Sequence, residues 1–386
     1  GINVPFNIAS RHGSTFINSA SDGAAGTANT TPTALPDLSA TDFLLGNSYM
    51  GTIGKFVMWG EDIGDTGIAE ATTVDYGTDF AMTVATTTAA ETFTIPAYNI
   101  GTFAAGIDWG DGSISSITAW NDANLTHTYA DAGDHTIRIS GSFPSIRFNN
   151  GGDKFKVKSV GNLGDVGWLQ FNGAYFGCTN MTSFTVGRTD TSAVASMGDM
   201  FAFCTGLTSL DLSSFNTASV TTMNEMFDQC TGLTSLNVSS FDTSAVTLMT
   251  EMFRNCESLT SLDVTNFNTA AVTAMTSMFR DCTSLTSLNL TGFNNSAVTL
   301  MNAMFYNCQS LTSLDLSSFN TSSVTSMSDM FAFCTGLTSL DLTGFNTSSV
   351  TNMNEMFDSC TGLTSLNVSG FDTSAVTNMT EIFRNC

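Results

Sequence analysis

The 386-residue chain sets 34 Asp and Glu against 11 Lys and Arg, a formal charge of −23. Its four lysines (Lys55, Lys154, Lys156 and Lys158) are too few to release counterions from nucleic acid or to hold an anionic membrane surface, so neither is expected as a partner. No apolar run reaches the roughly eighteen residues of a membrane span, so membrane insertion is not expected. Thirty Phe supply ample material for buried cores, while a charged fraction of only 12% leaves the surface to Ser, Thr, Asn and Gly, as in many proteins that work outside cells. The chain opens Gly1-Ile2-Asn3 without initiator Met or signal peptide, and the expectation is a processed chain or part of a longer one.

Residues 1–78 carry G-T-I-G-K-F-V-M-W (51–59) and then G-E-D-I-G-D-T-G-I-A-E-A (60–71), and F-I-N-S-A-S-D-G-A-A-G (16–26) reads as a preceding hairpin. This stretch is similar to the last strand and tail of concanavalin-A-like (laminin-G-like) jelly-roll domains, which implies that 1–78 is only the C-terminal part of such a lectin domain. Residues 79–145 alternate in T-F-T-I-P (92–96) and H-T-I-R-I-S (135–140), with Gly/Asp turns between, and read as a small β-sandwich. Here I-D-W-G-D-G-S (107–113) and H-T-Y-A-D-A-G-D-H-T-I (127–137) resemble the polycystic-kidney-disease-type (PKD-like) spacer sandwich. That resemblance implies a core Trp109 and a tight turn built by Asp108, Gly110, Asp111 and Gly112. Asp108 and Asp111 could also bind calcium; the turn is the favoured role, and no cofactor is expected.

From 146 to 386 the organisation is a repeat. Nine cysteines, from Cys178 through Cys204 and Cys230 to Cys386, stand 26 residues apart, and a fixed period of that size means a solenoid. In the unit starting at Cys204 the L-x-x-L-x-L segment is a leucine-rich-repeat strand, with Leu210 and Leu212 inward and Ser209, Asp211 and Ser213 outward. Val220, Met223, Met226 and Phe227 follow at a spacing that suits a short α or 3₁₀ turn. The fold class expected is therefore mainly β, a leucine-rich-repeat solenoid with a parallel sheet and short helical or 3₁₀ turns. Residues 146–177 form a leading cap, since the first unit departs from the pattern at Thr189 and at Ala174-Tyr175. No such departure closes the far end, and the expectation is that the natural chain continues beyond Cys386 or that another subunit covers it. Residues 200–256 and 330–386 match at 49 of 57 positions, an offset of 130 residues or five units, which points to block duplication. Arrays that gain and lose units are usually spacers or binding surfaces.

The equivalent cysteines point the same way and are odd in number, so buried free thiols are expected rather than disulfides, and x₂₅ spacing without a His partner argues against metal. The Asx column from Asn216 to Asp372 is expected to cap turns. On the outward strand face three columns recur. They are Ser209, Ser235, Ser261, Ser287, Ser313 and Ser339; Asp211, Asn237, Asp263, Asn289, Asp315 and Asp341; and Ser213, Ser239, Thr265, Thr291, Ser317 and Thr343. They form either a hydrogen-bonding face for a glycan or protein or simply a solvated strand face. The threonine columns from Thr208 and Thr221 raise an ice-binding alternative, which the intervening Asp/Asn and Ser columns weaken.

The unit M-F-x-x-C-x-x-L-T-S-L-D-L-S-x-F-N-T-S-x-V-T-x-M resembles the bacterial surface-protein repeat of the BspA-like leucine-rich-repeat group over residues 174–386. S-I-R-F-N-N-G-G-D-K-F-K-V-K-S-V-G (145–161) resembles the segment that leads into it. With the two preceding modules, the whole looks like a bacterial surface adhesin or the tail fibre or virion-surface protein of an aquatic phage. The resemblance implies a non-enzymatic extracellular, cell-surface or virion-surface adhesion protein, recognising a host-surface glycan or protein through the solenoid face. The alternative is a structural fibre subunit, a homo-oligomer or filament assembling end to end. His12, His127 and His135 are the only histidines, and none stands in a catalytic triad, zinc or phosphate-loop context, so no enzyme is expected.

Overall fold

The computed structural model describes residues 9–12, 17–21, 24–25 and 77–386. The chain divides into two units, Gly1–Tyr76 and Gly77–Cys386. In the first, β1 (Ala9–His12), β2 (Ile17–Ser21) and β3 (Ala24–Ala25) form an antiparallel sheet in the order β1-β2-β3. Of the two segments behind the jelly-roll expectation, 51–71 lies outside the described residues, while 16–26 contains β2 and β3, which pair antiparallel.

The second unit opens with β4 (Phe80–Thr86), β5 (Glu91–Thr94), β6 (Ala104–Asp108), β7 (Ile114–Ile117), β8 (Thr126–Tyr129), β9 (Gly133–Ser142), β10 (Val157–Asn162) and β11 (Ser183–Phe184). Six of these make one sheet in the order β11-β10-β4-β9-β6-β7, and β5 pairs with β8. Strand β10 is antiparallel to β4 but parallel to β11, so one sheet passes from hairpin pairing into the parallel pairing of the repeats. Trp109 is buried, and its backbone N–H donates to Ser113 O at 3.0 Å to close the turn. Gly110 is required there: φ is +80°, and a Cβ would stand 2.6 Å from the Thr136 carbonyl oxygen.

In the repeats, β12 (Ser209–Asp211) pairs in parallel with β13 (Ser235–Asn237), β14 (Ser261–Leu262) with β15 (Ser287–Leu288), and β16 (Ser339–Asp341) with β17 (Ser365–Asn367). The register always pairs residues 26 apart, Ser209 with Ser235 and Leu210 with Leu236. A second line of parallel bridges joins Ser196, Thr222, Leu248, Ala274, Leu300, Ser326, Asn352 and Asn378. Each unit is thus a coil held to its neighbours on more than one side.

The segment expected to be a helical turn takes a different form. Met197, Asp199, Phe201 and Phe203 donate their N–H groups to Thr222, Asn224, Met226 and Asp228 of the next coil, while Met200, Ala202 and Cys204 donate three residues back within their own. Asp199 and Phe203 have φ of 54° and 59°, and the equivalent pair recurs in every later coil, Glu225 and Gln229 to Glu381 and Asn385. A left-handed residue every fourth position turns alternate amides outward along the stack and interrupts the continuous right-handed backbone a helix needs. Among the described residues the only helical segments are the 3₁₀ turns Ala123–Leu125 and Lys154–Lys156, both ahead of the first cysteine.

The core is a set of columns. Phe215, Phe241, Phe267, Phe293, Phe319 and Phe345 are all buried. The tighter stack is the other Phe column, from Phe201 to Phe383, with centroids 5.5–5.9 Å apart and planes within 9° of parallel. Each ring buried this way is worth about 1.5–3 kcal/mol relative to exposure. A buried Thr column (Thr191, Thr217, Thr243, Thr269, Thr321 and Thr347) donates each hydroxyl to a backbone carbonyl of the next coil at 2.9–3.0 Å. The cysteines are free thiols, eight of them buried. From Cys204 on, each Sγ donates to the carbonyl 29 residues earlier, as Cys204 does to Tyr175 O at 3.2 Å. Burial pushes the thiols up, to about 12 at Cys230 and Cys282, so little thiolate forms at neutral pH. Iodoacetamide applied to the folded chain at pH 8 should therefore label Cys386 alone. Mass spectrometry showing fast modification of an internal cysteine would contradict the buried column.

Candidate functional site

The strand face is built by alternation. Leu210 and Leu212 enter the core, and the residues between them are left outside. All eighteen residues of the three outward columns are exposed; β12–β13, β14–β15 and β16–β17 pair in register, and the coil with Ser313, Asp315 and Ser317 forms no strand. At the spacing of parallel strands, about 4.8 Å, they form rows of hydroxyl and carboxylate or amide groups along the stack.

The Asp/Asn column also has a structural task that its outward position conceals. Asp211 Oδ1 accepts from Ser213 N–H at 3.0 Å, Asn237 from Ser239 at 3.1 Å, Asp263 from Thr265 at 3.0 Å, and Asp341 from Thr343 at 3.0 Å. These are Asx turns, and they explain why Asp and Asn interchange freely: both supply Oδ1. Asn216 does the same for Ala218 N–H at 3.2 Å, the capping role expected for its column. At the leading end Asp211 and Ser213 join Phe184, Val186 and Ser214 around a shallow cavity of about 250 Å³. The Thr208 and Thr221 columns turn their hydroxyls back onto the stack: Thr234 Oγ1 donates to Thr208 O at 2.9 Å and Thr247 Oγ1 to Thr221 O at 3.2 Å.

In the 107–113 turn, Asp108 Oδ1 accepts from Gly110 N–H and Asp111 Oδ1 from Ser113 N–H, both at 2.9 Å. Asp111 Oδ2 lies 2.7 Å from His127 Nε2, whose ring stacks on Trp109. These carboxylates therefore brace the turn.

Columns on the turn wall, which the sequence reading passed over, hold the densest charge. Carboxylate oxygens of Glu225, Asp228 and Glu251 all lie within 4.8 Å of one another. Asp228 is fully buried and takes both arms of Arg254, at 2.8 and 2.7 Å; Arg254 also reaches Glu251 at 2.5 Å. Five coils on, Asp358, Arg384, Glu355 and Glu381 repeat the arrangement. The signal was available: these are positions where successive units disagree, and pairing residues 26 apart puts Asp228 beside Arg254.

Burial, and then the neighbouring Glu225 carboxylate, push Asp199 up to about 6. Its folded value exceeds the unfolded one near 3.9, so the fold favours the protonated form and loses stability as pH rises from about 4 to about 6. Asp263 and Asp315 shift the other way, held down by a hydroxyl and then a backbone N–H two residues on, and their contribution is lost as pH falls below about 4. Asp199→Asn should flatten the decline between pH 4 and 6 and leave the chain about 1–2 kcal/mol more stable at pH 7, after discounting for solvent screening. Urea midpoints against pH check this; an unchanged slope would contradict it.

A family model described as "Mycoplasma protein of unknown function, DUF285" matches residues 169–290 and 283–386, together more than half of the chain. Among solved structures, a leucine-rich cell surface protein from Faecalibacterium prausnitzii A2-165 matches at 17% identity over 74% of this chain and 94% of that one, with a TM-score of 0.26. The functional domain of InlJ from Listeria monocytogenes, described as including a cysteine ladder, matches at 16% identity over 59% of this chain and 63% of that one, with a TM-score of 0.14. A comparison with curated proteins finds no match.

Proposed function

We propose, from the premise that the chain belongs to the DUF285 family, that it is a non-enzymatic adhesion protein of a cell or virion surface that recognises a host-surface glycan or protein through its strand face. The observation that carries this reading is the set of exposed hydroxyl and Asx residues that recur on the strand face in every coil, paired in register within β12–β13, β14–β15 and β16–β17. Ligand contacts made by one coil are offered again by the next, so weak contacts add along an extended ligand. A surface built of hydroxyls and amides suits work outside cells, and no described helix is long and apolar enough to cross a membrane.

An array of host-surface glycans and surface proteins probed with the purified chain tests the reading. Binding that strengthens with ligand length, with the ligand recovered intact, is the expected result. Absence of binding across the array, or cleavage of a bound glycan, would overturn it.

A further inference from the structure

The strand face repeats the same chemistry in every coil and so gives a ligand no fixed position along the stack. The turn wall differs from coil to coil, and its differences return after five coils. Phe176 and Phe203 are half-buried and stacked, centroids 5.6 Å apart; 130 residues on, half-buried Tyr306 and Phe333 meet at 5.2 Å with their planes tilted by 57°. Each pair is followed by the same acidic run, Asp199, Glu225, Asp228 and Glu251 in the first block, and its counterpart from Asp329 in the second. Within each run Arg254 or Arg384 ion-pairs with the carboxylates, while Arg147 acts on Asp199 and Arg280 on Glu251 and Asp329, so the carboxylates outnumber the cations around them.

The chemistry of the wall is that of a cation acceptor. The Arg280 guanidinium already lies 4.3 Å from the centroid of the Tyr306 ring, and Arg254 is held in both arms by Asp228. Aromatic faces beside carboxylates that outnumber the nearby cations favour guanidinium and ammonium groups over neutral or anionic ones. Arg280, over the Tyr306 ring, also reaches Asp281 Oδ2 at 3.1 Å, so the aromatic and acidic parts meet in one patch.

We infer that the turn wall carries two related docking sites, five coils apart, for a basic polypeptide segment in which Lys or Arg side chains meet the aromatic pair and the acidic run. This surface is distinct from the strand face and does not depend on the function proposed for it. At about 4.8 Å per coil the sites stand about 24 Å apart, a span that about seven extended residues bridge. One segment with two basic clusters at that separation therefore engages both sites at once.

The test uses the whole chain and two synthetic probes: a six-residue Lys/Arg peptide, and a tandem of two such peptides joined by a flexible linker longer than the span. Calorimetry should give two short peptides per chain, weakening as salt is raised, and one tandem peptide bound at least 100-fold more tightly. Asp329→Ser with Phe333→Asn removes one site using residues the same columns already hold at Ser277 and Asn307, so the fold is kept. The expected result is one short peptide per chain and loss of the tandem advantage. Asp211→Asn on the strand face should change neither. Equal binding of a neutral peptide, a stoichiometry unmoved by the double substitution, or no binding of the basic probes would each overturn the inference.

Discussion

Phe279→Ala lowers the stability of the repeat stack by about 3–5 kcal/mol, the range for deleting a large aromatic from a packed core. Phe279 is fully buried between Phe253 and Phe305, with centroids 5.6 and 5.8 Å away. Neither flanking ring can close the gap without leaving its own coil, whose backbone bonds to the next hold it in place. The loss therefore falls on the two coil-to-coil interfaces that Phe279 joins. In an array stabilised by nearest-neighbour contacts, that should split unfolding into two steps, with the coils on either side of 279 melting separately. Urea unfolding with limited proteolysis reads both effects. A single transition at the wild-type midpoint would contradict the stacked column.

Thr269→Val has the second-largest effect. Thr269 Oγ1 donates to Asn294 O at 3.0 Å and accepts from Asn294 N–H at 2.8 Å, all within the core. Valine keeps the shape and leaves both backbone groups without a partner, at about 1–3 kcal/mol each. The same column provides the reverse experiment. Asn295 replaces Thr, is fully buried, and neither Oδ1 nor Nδ2 has a hydrogen-bond partner. Asn295→Thr should restore the hydroxyl bridge and raise stability by about 1–2 kcal/mol. Denaturant midpoints for the two variants should move in opposite directions; a shift of the same sign in both would contradict this role for the column.

The stack was legible because every coil repeats its reasons. The 26-residue cysteine spacing sets the coil length, the Leu210 and Leu212 alternation sets the strand, and Phe215 and its equivalents mark the core. Two features were not legible for physical reasons. Val220, Met223, Met226 and Phe227 are spaced as on a helix, but the same spacing serves a segment whose alternate amides leave for the next coil. Only the left-handed backbone at Glu225 and Gln229 separates the two forms. The choice of β4 and β11 as the two partners of β10 is non-local and leaves no mark in any one segment. The candidate site was legible as exposure and not as bonding. Asp211 precedes Ser213 by the two positions of an Asx turn, as Asn216 precedes Ala218, yet its place in the strand drew attention only to its outward direction.

The most direct test of the account is affinity for the strongest array ligand in a chain carrying Ser287→Lys and Asn289→Lys, compared with Asp329→Ser and Phe333→Asn on the turn wall. Circular dichroism establishes that each variant is folded. If the strand face is the adhesive surface, the lysine pair in the middle of its rows lowers affinity at least 10-fold and the wall pair leaves it unchanged. Unchanged affinity in the folded strand-face variant would contradict the account.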